Sequence, residues 1–413
     1  MKAITNIGEL ATLAGPVRPR VGGALAEIAI VRDAAILIDG EKIAAVGRAA
    51  DLRDEIQGAN EVIDAQGRCV TPGFVDAHTH LVFAGNRAHE FEARIQGKSY
   101  QEIAAAGGGI LGTVAKTRAA TEDELLKAAR RNRDWMLRAG TTTIEAKSGY
   151  GLNRDAELKM LRVIRRLNEE GPARIHATLL AAHTVPAEFK QRRGEYVRWI
   201  LDELIPEVER EGLAEYCDAF CDEHAFTVDE ARQVLTAARA HGMKLRIHAE
   251  QFTPGTGAAL AAELGALTAD HLEVVEEASL IAMRNAGVQP VLLPGSVFAL
   301  GRREYPAARR MIEAGLAVVV ATDFNPGSSP VASMPFIMSL DCIEMRMAPA
   351  EALTAATINA AWSLSCGTQT GSIEVGKRAD LLIHEFRDYR EIAYFVASPA
   401  RPRVFVGGEE FVG

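Results

Sequence analysis

Gly73-Phe74-Val75-Asp76-Ala77-His78-Thr79-His80-Leu81-Val82-Phe83 follows the turn signal Thr71-Pro72 and is flanked by apolar residues on both sides. Rich in β-formers and bounded by Pro and Gly, it reads as a buried strand. Alternate side chains of a strand face the same way, so His78 and His80 point together, close enough for both imidazoles to bind one metal ion. The plainer alternative is two polar residues where a strand meets a loop, and the remaining histidines decide between the two.

Composition narrows the setting. At 413 residues the chain has room for one large barrel or for two or three ordinary domains. Its 48% hydrophobic and 24% charged residues are those of a soluble globular protein. A net charge of -9 argues against a nucleic-acid partner, whose footprint is normally basic. No apolar run approaches the ~20 residues that cross a bilayer, so no membrane partner is expected. Met1 to Gly15 lacks the apolar core of a signal peptide, and the expected compartment is cytoplasmic. The five cysteines, Cys69, Cys217, Cys221, Cys342 and Cys366, are odd in number and scattered, which points to reduced thiols. Cys217-x3-Cys221 reads as two small buried residues on a strand. A symmetric homodimer is the expected assembly, because it is the commonest one.

Two short β-runs, Ala34 to Ile38 and Lys42 to Gly47, flank Asp39-Gly40, a hairpin signal, and Glu61 to Asp64 adds another strand. From Gly73 strands alternate with amphipathic helices. The strand candidates are 73–80, 141–147, 174–182, 215–221, 244–249, 267–271, 288–293 and 317–323. Helices are expected over Thr121 to Ala139, opened by a Thr121/Glu124 capping box, and over Asn153 to Glu170, Val228 to His241 and Tyr305 to Ala314. Eight strand–helix units predict an α/β fold, a (β/α)8 TIM-like barrel over 73–363. A doubly wound open sheet is the alternative, but no dinucleotide glycine fingerprint supports it. Gly107-Gly108-Gly109 reads as an active-site loop or simply a loop. After residue 366 the β-texture returns, in Gly371 to Ile383 as a strand pair and in Val404 to Glu409. Neither end makes a core alone, so residues 1–72 and 364–413 are expected to form one composite β-domain.

The strand map gives the ten histidines meaning. His78, His80, His183, His224, His248 and His271 fall at or just past strand ends, as does Asp323. In a barrel these ends meet at one face, where active sites form. His89, His176, His241 and His384 fall elsewhere and read as ordinary, and His224 is left out of the site as a loop residue. His78, His80, His248 and Asp323 are therefore expected to hold one metal ion, Zn2+ or Fe3+, with a position left for water. The fourth strand ends without a lysine and Lys147 belongs to the second, which favours one metal over two.

The chain resembles the amidohydrolase superfamily and, within it, the imidazolonepropionase family. His78-Thr79-His80-Leu81-Val82-Phe83 with Arg87 and His89-Glu90-Phe91 resembles the family's first motif. Gly107 to Leu111, Gly140 to Leu152, Ala182 to Pro186 and Ala321 to Pro330 resemble the others. The resemblance implies hydrolysis of a small-molecule substrate, 4-imidazolone-5-propanoate, to N-formimidoyl-L-glutamate. It also implies that Arg87 binds the propionate and that Tyr150, Asn325, Gly327 and Ser328 bind substrate. His183 would hydrogen-bond or polarise the ring or its carbonyl. Another cyclic-amide or amidine hydrolase or deaminase of the superfamily is the nearer alternative, and a non-catalytic scaffold the more distant.

One departure stands out. Related deaminases carry glutamate three residues after the fifth-strand histidine, whereas this chain has Gln251, preceded by Glu250. Glutamine cannot titrate, so it is expected to position substrate. His271, with His183 and Asp323 as the other titratable candidates, is expected to move the proton. Glu250 is the alternative carrier.

Overall fold

The computed structural model describes residues 1–98, 102 and 108–413, so Gly107 lies outside the described residues. Its order is set by two eight-stranded sheets. The N-terminal strands are β1 (Lys2–Ala11), β2 (Ile30–Asp39), β3 (Lys42–Arg48), β4 (Glu61–Asp64) and β5 (Cys69–Pro72). The C-terminal ones are β14 (Leu381–Ile383), β15 (Arg403–Val406) and β16 (Glu409–Glu410). They form one sheet in the order β16-β15-β14-β5-β1-β2-β3, with β4 also paired to β1. The two chain ends meet where β14 runs antiparallel to β5, Leu381 opposite Pro72. Ile4, Leu10, Ile36, Val70, Leu381 and Phe405 fill the core of this sheet.

The second sheet is all parallel, in sequence order. It comprises β6 (Phe74–Asp76), β7 (Thr141–Lys147), β8 (Arg174–Ala182), β9 (Tyr216–Cys221), β10 (Lys244–Ala249), β11 (Thr268–His271), β12 (Gln289–Leu292) and β13 (Val319–Val320). Thr79 bridges Phe324, and Asp323 N donates to His78 O over 3.1 Å, so the eighth strand's extension closes on the first. The expected (β/α)8 barrel is therefore present. Its strands are largely buried, and β7 is buried throughout and opens on the β-branched Thr141-Thr142-Thr143-Ile144. Its helices carry the expected starts: Thr121 and Glu124 form a capping box, as do Thr227 and Glu230, and Asn153 Oδ1 accepts from Ala156 N. Helix 358–363 closes the barrel floor, where Ala360, Ala361 and Leu364 pack on Val75, Val291 and Val319. Gly73 is the one residue between β5 and β6. A Cβ there would overlap the Thr142 side chain, so only glycine lets the chain pass from one sheet into the other.

Several local expectations shift. β1 is absent from the expected strands, although it pairs with three others, β2, β4 and β5. A bulge with Asn6 at φ +53° breaks its alternation between Ile4 and Ile7. Gly371 to Asp380 is irregular rather than the first half of a strand pair. Ile373 is buried and donates its amide to Thr12 O, which holds the segment without a ladder. The hairpin turn is Gly40-Glu41, one residue later than expected. The last predicted helix shortens to Ala308–Glu313. All five cysteines are free.

Candidate metal and substrate site

The parallel strands deliver their ends to one face, and there the histidines converge. His78 and His80 lie just past β6, their ring centroids 5.5 Å apart. His248, in β10, has its ring 4.5 Å from that of His78 and 5.6 Å from that of His80. Asp323, three residues past β13, has Oδ1 3.6 Å from His78 Nε2 and 3.5 Å from His80 Nε2. Donor atoms of His78, His80 and Asp323 all lie within 4.8 Å of one another, and so do those of His78, His248 and His271. All are buried. Among the described residues, His78 Nε2, His80 Nδ1 and both ring nitrogens of His248 have no hydrogen-bond partner. Orphaned nitrogens in a buried site are costly, and a cation satisfies them, so this donor set fits a metal ion.

Carboxylates stand behind two of the imidazoles. His78 Nδ1 is 2.6 Å from Asp270 Oδ2, an oxygen that can only accept, so the proton stays on Nδ1 and Nε2 is left free. His248 Nδ1 lies 3.0 Å from Asp218 Oδ2, a close contact that is not aligned as a hydrogen bond. Lys147 Nζ lies 2.8 Å from both Asp218 and Glu145 and 3.8 Å from Asp270. Burial disfavours the Lys147 charge, but Asp218 and Glu145 outweigh it and hold its pKa above the ordinary lysine value. Arg246, fully buried, reaches Asp270 at 3.3 Å. This ion network is not evident in the sequence pattern, although Glu145, Asp218 and Asp270 are acids inside runs that read as buried strands.

The backbone is left-handed at three strand ends, with Glu250 at φ +48°, His271 at +83° and Asp323 at +52°. Such conformations cost non-glycine residues about 1–3 kcal/mol each and cluster at functional sites. His271 Nδ1 faces Glu273 Oε1 at 3.3 Å. Burial opposes its protonation, but Glu273, Asp323 and Asp270 hold its pKa above the usual histidine value. His183 is pushed the other way, well below that value, by burial and by His80 and His248. It stacks on His80 at 5.0 Å, and Tyr150 stands 5.4 Å from it and 5.7 Å from His80.

The other expected site residues separate into two groups. Arg87 joins the loop after β13, since a Cβ on Gly327 would overlap its guanidinium. Glu90, buried, holds Arg87 Nε at 2.7 Å and accepts from Gly109 N at 2.9 Å. Ser328 Oγ reaches Asp323 Oδ2 at 3.4 Å. Asn325 is engaged within its own loop: Oδ1 accepts from Gly327 N and Ser328 N, and Nδ2 donates to Asp323 O and Ser328 Oγ. Gln251 is buried and its backbone carbonyl accepts from Arg302 Nη1 at 3.2 Å, and among the described residues no hydrogen bond ties its side chain to the histidines. Glu250 turns away to the helix over Gly257–Leu264, accepting from Gly257 N at 2.6 Å and Ala258 N at 3.1 Å. Burial pushes its carboxyl up to about 7. His224 is exposed.

Residues 69–410 match the model of the amidohydrolase family. An imidazolonepropionase from Solibacter usitatus is 54% identical over 98% of this chain and 97% of its own length. One from Shouchella clausii is 47% identical over 94% and 87%. The chain belongs to the imidazolonepropionase family of amidohydrolases. Solved structures share the fold of this imidazolonepropionase family member at low identity. A 5-methylcytosine deaminase from Klebsiella pneumoniae liganded with 5-fluorocytosine superposes with a TM-score of 0.73 at 16% identity, covering 99% of this chain and 97% of that one. An atrazine chlorohydrolase from Arthrobacter aurescens complexed with zinc gives 0.68 at 18%, covering 100% and 95%. Family membership and the donor cluster together indicate a metal cofactor. Among the described residues no helix is long and apolar enough to cross a membrane.

Proposed function

We propose that this chain hydrolyses 4-imidazolone-5-propanoate to N-formimidoyl-L-glutamate, a step of histidine degradation. The observation that carries the reading is a buried His/Asp donor cluster in a chain 54% identical to an imidazolonepropionase along nearly its whole length. Water adds across the ring amide: a C–O bond forms at the carbonyl carbon, the C–N bond breaks, and the nitrogen gains a proton.

His78, His80, His248 and Asp323 would hold one ion, zinc or iron. Such an ion polarises a carbonyl and lowers the pKa of water toward ~7. His271 is the proton carrier in this reading, taking a proton from the attacking water and returning it to the leaving nitrogen. Glu250 is an unsuitable carrier because its carboxylate is held by two helix amides. His183 Nδ1 is 3.0 Å from Gly149 O, which can only accept, so the proton sits on Nδ1 and Nε2 carries a lone pair. His183 would thus accept a ring N–H rather than donate to the carbonyl. Arg87 presents its guanidinium to the propionate, Tyr150, Gly327, Ser328 and Gln251 line the ring, and Asn325 shapes the loop.

In the same reading residues 1–72 and 364–413 form one composite unit and 73–363 the barrel, and the enzyme works in the cytoplasm as a two-fold dimer. The test is turnover of imidazolone propionate against hydantoin, dihydroorotate and cytosine. The expected result is strong preference for the propionate-bearing ring, and equal or better turnover of the others overturns the substrate. Charge-assisted bonds are worth roughly 1.5–3 kcal/mol, so Arg87→Met should lower kcat/KM about ten- to a hundredfold with metal retained. If the variant discriminates propionate-free rings as the wild type does, Arg87 does not read the carboxylate.

A further inference from the structure

We infer that Glu157 is a positioning residue of the substrate site, acting through the loop 148–152 to place Tyr150 and to hold His183 in the tautomer whose Nε2 accepts. Glu157 lies in the first turn of helix Arg154–Glu169, away from the histidine cluster, and is 0% exposed. Its carboxylate gathers the amides of the loop that leaves β7. Gly151 N donates over 2.8 Å, Leu152 N over 2.7 Å, and Gly149 N over 3.1 Å and 3.2 Å to the two oxygens. The loop is wound tightly around this anion. A Cβ on Gly151 would collide with the Glu157 backbone and carboxylate, and Gly149 sits at φ +102° against Leu180 O and His183 Nδ1.

The loop's carbonyls go to a cation. Arg118 Nε donates to Gly151 O over 2.7 Å, and its Nη2 to Leu152 O over 3.0 Å. The same guanidinium pairs with Glu188 at 2.8 Å, beyond His183 in the chain, so one arginine ties the segments after β7 and β8 together. Beside these clamps the Gly149 carbonyl faces His183 and accepts from its Nδ1 over 3.0 Å. Tyr150 sits between Gly149 and Gly151, whose amides Glu157 holds. Three converging N–H groups need an acceptor-only side chain. A glutamine would set its NH2 against one of them.

The kinetic arm of the test rests on the substrate reading above, whereas the spectroscopic arm does not. Histidine 15N NMR on the zinc-loaded enzyme, with the His183 signal assigned by its absence in His183→Gln, reads the tautomer without substrate. Wild type should show a single Nδ1–H form, and Glu157→Gln should show a mixture. Losing a charge-assisted bond in the loop should raise KM about tenfold or more, with kcat changed less and zinc content unaltered. Arg118→Met should move both readouts in the same direction, and it carries the test should Glu157→Gln fail to fold. If the folded variants lose thermal stability while tautomer and KM stay as in wild type, Glu157 is only a brace and the inference fails. A wild type that does not turn over imidazolone propionate overturns the substrate instead, and the tautomer still decides the role of Glu157.

Discussion

Asp270 never touches the expected cation, yet the proton it keeps on His78 Nδ1, 2.6 Å away, is what frees Nε2. Partners of this kind typically control metal affinity by 10–100-fold, so Asp270→Asn should weaken zinc binding by about that factor in a competitive chelator titration. An unchanged affinity would show that His78 is oriented by packing alone. His271 tests the chemistry. A base must be neutral to act, so the rate should fall on the acid side of its pKa. General acid–base residues contribute about 10²–10⁴-fold. His271→Asn should lose activity within that range, keep its metal, and lose the acid limb of the pH–rate profile. If the limb persists, another group carries the proton.

At the scale of elements, the helix Met334–Ile343 carries the clearest cost. Asp341 is fully buried in it, and among the described residues neither carboxylate oxygen has a hydrogen-bond partner. Burial raises its pKa well above the usual carboxylate value. The sign follows from linkage: below about pH 3.9 the group is neutral in both folded and unfolded chains. As pH rises, the unfolded chain releases the proton and the folded one resists, so stability is lost until the folded pKa is passed. Asp341→Ala, at a helical position that favours alanine, should therefore stabilise the protein by roughly 1–3 kcal/mol at neutral pH. Its advantage should shrink toward pH 4 in thermal melts. A difference in Tm that does not vary with pH means Asp341 has a partner after all.

For the whole molecule, the site is where the barrel closes. Asp76, on the first strand, accepts from Thr322 Oγ at 2.6 Å and Thr322 N at 3.1 Å, and so places Asp323 on the eighth. Burial pushes the Asp76 carboxyl up to about 7. An ion bridging His78, His80, His248 and Asp323 would join β6, β10 and the β13 extension. Binding only the folded state stabilises it by about 2.7 kcal/mol at a hundred times Kd. Chelation should therefore lower Tm and abolish activity together, and added zinc or iron should restore both. A chelated enzyme that melts as before has no such bridging ion.

Periodicity alone made the architecture legible: all eight barrel strands occur where largely apolar runs alternate with amphipathic helices, because a strand buried on both faces tolerates polar residues only where partners satisfy them. The histidines and Asp323 could be chosen because strand ends share a face in any such barrel. Tertiary structure decided what strand ends cannot encode. Glu250 and Gln251 are neighbours in sequence, but a left-handed turn at Glu250 and the free amides of helix Gly257–Leu264 sent the acid to a cap. Asn325, chosen for substrate, folds back on its own loop because three nearby amides need an acceptor. The Lys147, Asp218 and Asp270 network spans β7, β9 and β11, and its charges are tolerable only because folding sets both carboxylates within 4 Å of Lys147 Nζ. Sequence periodicity sets which face a residue lies on. Which atom meets which depends on desolvation and hydrogen-bond demand between segments far apart in the chain, and those exist only once the barrel has closed.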